Sequence, residues 1–231
     1  MMNGFSLSGK THLAKKIEKK FPKIFARVDS TTIHNFPNKN YPIFKDDNTI
    51  KGYSYDLRHK TTKAVHNTLI ETLLKEGVSV ILDSCNSKKE KRQKLLEMAK
   101  GINKEIKTII ISVNIPEKEL YKRLRRYDRK NIKNGEKPAW VDLYENIQKR
   151  DFEIPTKKEA DYLLNYKSGQ EEKILGKLSQ IIERGEKPKR NGFTSTMKQS
   201  LISLLVAQYL HEIFCEHLLT VGLLHGCKFE S

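Results

Sequence analysis

The feature that most constrains the fold is the segment at residues 4–11, which reads Gly-Phe-Ser-Leu-Ser-Gly-Lys-Thr and fits the pattern G-x-x-x-x-G-K-T. Glycines let such a loop curl around a phosphate, while backbone N–H groups and the N-terminus of the next helix supply positive potential. The pattern is meaningful only between a buried strand and a helix. Apolar residues at helical spacing follow the loop, but only three residues precede it. We therefore predict a phosphate loop and a helix, with the first strand missing.

Within this loop, each residue type predicts a contact to a bound nucleotide. Lys10 would reach the terminal phosphates, and the Thr11 hydroxyl would ligate Mg²⁺. The residues that we predict to bind the nucleotide are Gly4, Ser6, Ser8, Gly9, Lys10, Thr11 and His12.

The rest of the chain alternates between strand-like and helix-like segments. Strands are predicted at residues 25–29, 78–83, 107–113 and 161–166, and helices at 60–76, 87–100, 116–128, 140–147 and 171–183. Ser87 and Glu90 fit a capping box for the second of these helices. Residues 30–59 lack periodicity and suggest a long loop over a substrate site or a disordered insertion. This alternation predicts an α/β fold in which a parallel sheet has helices on both faces.

Two carboxylates end predicted strands, where open α/β sheets bind their ligands. Asp29 is the candidate for orienting or deprotonating an acceptor hydroxyl. Asp83 is the candidate for the Mg²⁺ shell, through water, or for substrate, and Asn86 beside it could bind substrate. Turn and cap roles remain open for all three residues, because Asp and Asn are common there.

An arginine-rich segment could offset charge on a phosphate that is being transferred. Arg123 and Arg126 share one face of the predicted helix, and Arg125 and Arg129 share another. An arginine at that phosphate can be worth on the order of 10³-fold in rate. We predict Arg126 for this role and Arg123 as the second choice, with a solvated run of charges as the alternative.

Composition limits the setting of the chain. The net charge of +16 suits a polyanionic partner, although lysines spread over helix faces fit a base-composition bias equally well. Three cysteines at unpaired spacings point to a reducing, cytoplasmic location. Polar residues interrupt the apolar run at residues 201–224, so we expect no membrane span but an amphipathic tail helix that docks on the domain or on a partner.

Together, these motifs resemble the P-loop kinase group that includes polynucleotide 5′-kinases, tRNA-linked seryl kinases and zeta-toxin-like kinases, often labelled AAA-type ATP-binding proteins. The resemblance covers residues 4–182 and is most specific at residues 60–86. It implies ATP as donor, Mg²⁺ as cofactor, Asp29 as the group that activates the hydroxyl, and Arg126 as the lid arginine. Members usually carry a basic residue soon after that aspartate, where this chain has Ser30 to Ile33 instead. This departure weakens the case for a nucleic-acid 5′-hydroxyl.

The expected function is that of an ATP-dependent kinase acting on a hydroxyl of a nucleic acid or small molecule. An ATP-binding switch or ATPase, or an inactive truncated P-loop module, is the alternative. We predict a kinase-like domain at residues 1–185 and a linker with a helical tail at residues 186–231. Because the missing strand would lie in the middle of the sheet, we also expect Met1 to be internal to a longer reading frame.

Overall fold

The computed structural model describes residues 1–22, 24–33, 51–135, 137–184, 202, 204 and 205, with the backbone alone for residues 51–59. The chain divides into two compact units. One consists of Met1–Asp29 with Leu73–Asn191, and the other of Ser30–Thr72 with Gly192–Ser231. The expected domain boundary after residue 185 stays a prediction, and the predicted tail lies almost entirely outside the described residues.

The first unit contains all five described strands, which are β1 (Met2–Asn3), β2 (Phe25–Asp29), β3 (Ser79–Asp83), β4 (Ile109–Asn114) and β5 (Tyr162–Lys167). The helices are α1 (Lys10–Lys20), α2 (Lys51–Lys75), α3 (Lys89–Ile102), α4 (Glu117–Lys133), α5 (Trp140–Leu143), α6 (Lys149–Asp151) and α7 (Glu171–Arg184), and a π-helical turn (Tyr144–Gln148) joins α5 to α6. Only the last residues of α2 belong to the first unit. All strand pairs are parallel, namely β2 with β3, β1 with β4, and β4 with β5. The predicted parallel α/β fold is confirmed.

The strand before the phosphate loop is reduced to two residues. Met2 and Asn3 pair with residues 111 and 112 of β4. On the side of β1 that faces β3, separate hydrogen bonds to the segment after β3 take the place of a regular ladder between strands. Gly4 N–H donates to the Cys85 carbonyl (3.2 Å), Asn86 Nδ2 donates to the Met2 carbonyl (2.7 Å), and Asn3 Nδ2 donates to the Asn86 carbonyl (2.9 Å). Two asparagine side chains thus join the β2–β3 pair to the other three strands.

The burial of the strands explains why they could be predicted from the sequence. Residues 110–113 of β4 are buried in succession, so both faces of the sheet are covered there. On one face, α1 and α7 pack on strands β1, β3, β4 and β5; the helical contributors are Leu13, Ala14, Ile17, Ile174, Leu175 and Leu178. The apolar stripe that predicted α1 is therefore the stripe that buries it.

Two local predictions were wrong. Helix α2 begins at Lys51, so part of the segment expected to be a loop is helical, while residues 34–50 lie outside the described part of the chain. The capping box does not form, because α3 begins at Lys89 and its Lys88 N-cap makes no side-chain cap bond. Instead, the Glu153 carboxylate accepts the Lys89 N–H, and Glu90 pairs with Lys94. A carboxylate from a distant loop thus takes the place of the local cap.

Among the described residues, no helix combines the length and apolar composition that crossing a bilayer would require.

Candidate active site

The phosphate loop, residues 4–11, has the backbone that anion binding needs. Gly4 and Gly9 have φ values of 148° and 107°, and Leu7 also adopts a left-handed conformation, with φ 61°. A Cβ on Gly4 would lie 2.7 Å from the Val113 carbonyl oxygen, so only glycine fits there. The first intrahelical bond of α1 runs from Leu13 N–H to the Gly9 carbonyl (3.1 Å). The N–H groups at the start of α1 therefore have no intrahelical partner and can bind an anion.

Lys10 is buried at the base of this loop, and its Nζ donates to the Phe5 carbonyl (2.5 Å). Burial lowers the pKa of Lys10 from its ordinary value, while Cys85 and Asp83 act in the opposite direction. A phosphate would add negative charge beside this amine and favour its protonated form.

A row of polar groups crosses the carboxyl ends of β2 and β3. Thr11 Oγ1 donates to Asp83 Oδ1 (3.2 Å). Arg27 Nη1 donates both to Asp83 Oδ2 (3.0 Å) and to Asp29 Oδ2 (2.9 Å). Asp29 and Asp83 are direct partners in the parallel register, which brings the two carboxylates together. The Asp83 side chain is 1% exposed and that of Asp29 is 14% exposed, so solvent reaches Asp29 more easily.

The electrostatics of the two carboxylates depend on Arg27. Burial, and then the charge of Asp29, raise the pKa of Asp83, while Arg27 and Thr11 oppose the rise. Sequence reasoning missed Arg27. A signal was present, because the period of two along a strand places residues 27 and 29 of β2 on the same face.

Thr11 and Asp83 fit a magnesium site. Mg²⁺ in nucleotide sites takes oxygen ligands, commonly one or two carboxylates together with water and substrate phosphates. The Thr11 hydroxyl and the Asp83 carboxylate are in direct contact beside the loop, so they present two such oxygens. Among the described residues, no group of three or more His, Cys, Asp or Glu side chains could hold a metal alone. A metal here would therefore need phosphate or water oxygens as well.

The two predicted arginines on α4 occupy different places. Arg123 Nη1 donates to the Leu7 carbonyl of the phosphate loop (3.2 Å), and its Nε bonds to Glu119 (3.1 Å). Arg126 is exposed, and no contact between it and the loop is found among the described residues. The structure thus brings our second choice to the loop rather than our first.

Aromatic side chains and one glutamine also hold the loop. The Phe5 ring lies 5.1 Å from that of Tyr144 and 4.3 Å from that of Phe152, measured between ring centroids. Gln148 Oε1 accepts the Ser6 N–H (3.0 Å), and Gln148 Nε2 donates to Ser6 Oγ (2.6 Å). Ser6 and Gln148 are 142 positions apart, and no local pattern around either residue predicts this pair.

Three other predicted site residues, Asn86, Ser8 and His12, differ in their surroundings. The Asn86 amide bonds to the Ser84 hydroxyl (2.9 Å) and to the Met2 carbonyl, so both ends of the amide have partners within the fold. Ser8 is buried, and its Oγ has no hydrogen-bond partner among the described residues. The His12 side chain is exposed and lies 3.8 Å from Glu171. The predicted contact of His12 with the nucleotide stays a prediction.

Arg92 fixes the segment that carries Cys85 and Asn86. Its side chain is fully buried and pairs with Glu159 (2.8 Å). Its Nη1 donates to the carbonyls of Asn86 (3.1 Å), Ser87 (2.8 Å) and Glu153 (2.9 Å). One guanidinium therefore ties the end of β3 to the loop before β5.

Comparison with known proteins agrees with this fold. The model of the family described as AAA domain matches residues 1–143. A candidate kinase from Chloroflexus aurantiacus J-10-fl has a similar structure, with TM-score 0.60 and 16% identity over 80% of this chain and 95% of that one. The APS kinase CysC of Mycobacterium tuberculosis, solved with AMPPNP and APS, aligns with TM-score 0.51 and 15% identity over 79% of this chain and 95% of that one. No curated protein matches the sequence significantly. Because the family model covers more than half of the chain, the chain belongs to the AAA domain family, and it has the P-loop fold that these kinases share.

Proposed function

We propose that the protein is an ATP-dependent kinase that transfers the γ-phosphate to a hydroxyl group of a nucleic acid or small-molecule acceptor, with Mg²⁺ as cofactor. The observation that carries this proposal is the row Thr11, Asp83, Arg27 and Asp29 beside the phosphate loop. Phosphoryl transfer needs bound phosphates, an oriented acceptor and compensation of charge, and the residues of this row and loop are of the types that supply all three.

In this proposal, the loop holds the donor. The N–H groups at the start of α1 bind phosphate oxygens, and Lys10 places its positive charge at the terminal phosphates. Arg123, which already touches the loop at the Leu7 carbonyl, is the arginine best placed to offset charge on the phosphate being transferred. It replaces Arg126 as our first choice.

Asp29 is proposed to receive the acceptor hydroxyl. Asp83 is almost fully shielded and is bonded on one oxygen by Thr11 and on the other by Arg27, which suits it to a metal site. Asp29 retains more exposure, so an acceptor can approach its carboxylate. Arg27 keeps the two carboxylates side by side despite their like charges. Thr11 and Asp83 would hold Mg²⁺, whose positive charge would offset the negative charge that develops during transfer.

Two observations bear on the chemical class of the acceptor. The APS kinase that shares the fold was solved with a small-molecule acceptor, whereas the net charge of +16 favours a polyanion. We therefore keep both acceptor classes within the proposal and separate them by experiment.

The experiment is a transfer assay with γ-labelled ATP and Mg²⁺, in which RNA, DNA and small hydroxyl compounds are offered as acceptors. The wild-type chain should label one acceptor class well above the rate of ATP hydrolysis, and Lys10→Ala should abolish both binding and labelling. Release of labelled phosphate without any labelled acceptor would instead indicate an ATPase. No ATP binding by the wild type would overturn the proposal.

A further inference from the structure

The π-helical turn at residues 144–148 reaches the phosphate loop with two successive contacts. The Tyr144 ring packs against Phe5, and the Gln148 amide bonds to Ser6, so residues four apart touch neighbouring residues of the loop. The Lys149 N–H donates to the Tyr144 carbonyl five residues earlier, which is the bond that defines a π turn. Such turns occur frequently at functional sites. Gln148 lies beyond residue 143, where the match to the family model ends.

Gln148 holds Ser6 with both atoms of its amide. Its Oε1 accepts the Ser6 backbone N–H, and its Nε2 donates to Ser6 Oγ. Ser6 Oγ also lies 3.5 Å from Cys85 Sγ, so the Ser6 hydroxyl bridges the π turn and the end of β3. Both the backbone and the side chain of Ser6 are therefore fixed from outside the loop.

Fixing Ser6 also fixes the carbonyl that orients the Lys10 amine. Lys10 Nζ donates to the carbonyl of Phe5, the residue directly before Ser6. The peptide plane that presents this carbonyl also contains the Ser6 N–H that Gln148 accepts. A rotation of that plane would break the Gln148 bond and the Lys10 bond together. The orientation of Lys10 is thus linked to Gln148 through a single rigid unit.

We propose that Gln148 is a positioning residue for the terminal phosphates of the nucleotide, acting through the Phe5–Ser6 peptide and Lys10. This inference rests on the proposed function, because it presumes that the loop binds ATP. Gln148 does not touch the phosphates in this account. It reduces the number of orientations that the loop and the Lys10 amine adopt before the nucleotide arrives, which is how preorganisation strengthens binding.

The test compares binding of the non-hydrolysable ATP analogue AMPPNP with binding of AMP, by calorimetry. Gln148→Met keeps the length of the side chain but removes both hydrogen bonds to Ser6. Because two neutral hydrogen bonds are lost, each taken near the low end of its usual contribution, we expect Gln148→Met to weaken AMPPNP binding about tenfold. AMP lacks the terminal phosphates, so its affinity should change less than about twofold. Gln93→Met, on the exposed part of α3, is the matched control and should leave both affinities unchanged.

A double-mutant cycle tests whether Gln148 acts through its bonds to Ser6. Ser6→Ala keeps the bond from the Ser6 N–H to Gln148 but removes the bond from Nε2 and the long contact with Cys85 Sγ, so it should weaken AMPPNP binding about threefold in the wild type. The same change should have a clearly smaller effect in Gln148→Met, where only the contact with Cys85 is left to lose. If Gln148→Met does not fold, Ser6→Ala still tests the proposal through the same ratio of AMPPNP to AMP affinities. Equal weakening of both ligands, or no weakening, would overturn the positioning role while leaving the proposed kinase intact. Failure of the wild type to bind AMPPNP would overturn both.

Discussion

Loss of the Arg27 side chain should destabilise the protein strongly, and in a pH-dependent way. Its Nη1 joins Asp29 and Asp83, two carboxylates from neighbouring strands in direct register. The exposed fractions are 13% for the Arg27 side chain and 1% for that of Asp83, so water can compensate little for the loss of the guanidinium. Removing one partner of a buried ion pair costs about 3–5 kcal/mol. We expect Arg27→Met to lower the free energy of unfolding by about this amount at neutral pH.

The direction of the pH dependence follows from Asp83. Burial and Asp29 already raise its pKa in the folded protein, and Arg27 opposes the rise. Without Arg27 that pKa moves further above the unfolded value, which is about 3.9. A carboxyl group with a raised folded-state pKa destabilises the fold above its unfolded pKa, and this cost disappears as the pH falls below both values. The loss caused by Arg27→Met should therefore be largest near pH 7 and clearly smaller near pH 4.5.

The assay is urea unfolding followed by circular dichroism at both pH values. Arg129→Met, a change of the same type at an exposed position on α4, is the control and should be close to neutral. If Arg27→Met does not fold at neutral pH, Arg27→Lys keeps the charge without the planar fork and should show a smaller loss of the same sign. An equal loss at both pH values would contradict this prediction, because it would show that the carboxylate charges are not the source of the loss.

Three further predictions concern the supports of the site. Arg92→Leu should lower the free energy of unfolding by about 3–5 kcal/mol in urea, because it leaves the buried Glu159 carboxylate without its partner. Lys94→Ala, on the exposed surface of α3, should have no detectable effect. Gly4→Ala should abolish AMPPNP binding in calorimetry, because the added Cβ collides with the Val113 carbonyl oxygen. Gly135 also has a positive φ but open space around it, so Gly135→Ala should leave binding intact. Burial lowers the pKa of Lys10, and only its charged form attracts phosphate. The affinity for AMPPNP should therefore fall as the pH rises into the alkaline range, with proton uptake on binding, and a pH-independent affinity would contradict this.

The sequence predicted the strands well because their apolar runs are nearly continuous. Strand β2 was predicted with its observed bounds, and the other three predicted strands were within two residues of theirs. The meeting of Asp29 and Asp83 was also predictable, because the carboxyl ends of neighbouring parallel strands share one edge.

What the sequence could not predict depends on tertiary contacts. Arg123 and Arg126 share a helical face, so periodicity cannot say which one the packing of α4 brings to the loop. Gln148 binds Ser6 across 142 positions, and nothing near either residue signals the pair. The capping box failed for a similar reason, because Glu153, 64 positions from Lys89, caps α3 instead. In both cases a side chain that is distant in the sequence makes the contact, and local sequence patterns cannot predict it.

The proposed kinase activity depends most directly on the Asp29 carboxylate, and one substitution tests this dependence. Asp29→Asn keeps the size of the side chain and an oxygen that can accept from Arg27, but it removes the carboxylate that is proposed to receive the acceptor hydroxyl. With γ-labelled ATP, Mg²⁺ and the acceptor found for the wild type, this variant should lose phosphate transfer by at least about 10²-fold, while its affinity for AMPPNP stays within about threefold. Asp142→Asn, at an exposed position on α5, should transfer phosphate at the wild-type rate. Undiminished transfer by Asp29→Asn would contradict the proposed site.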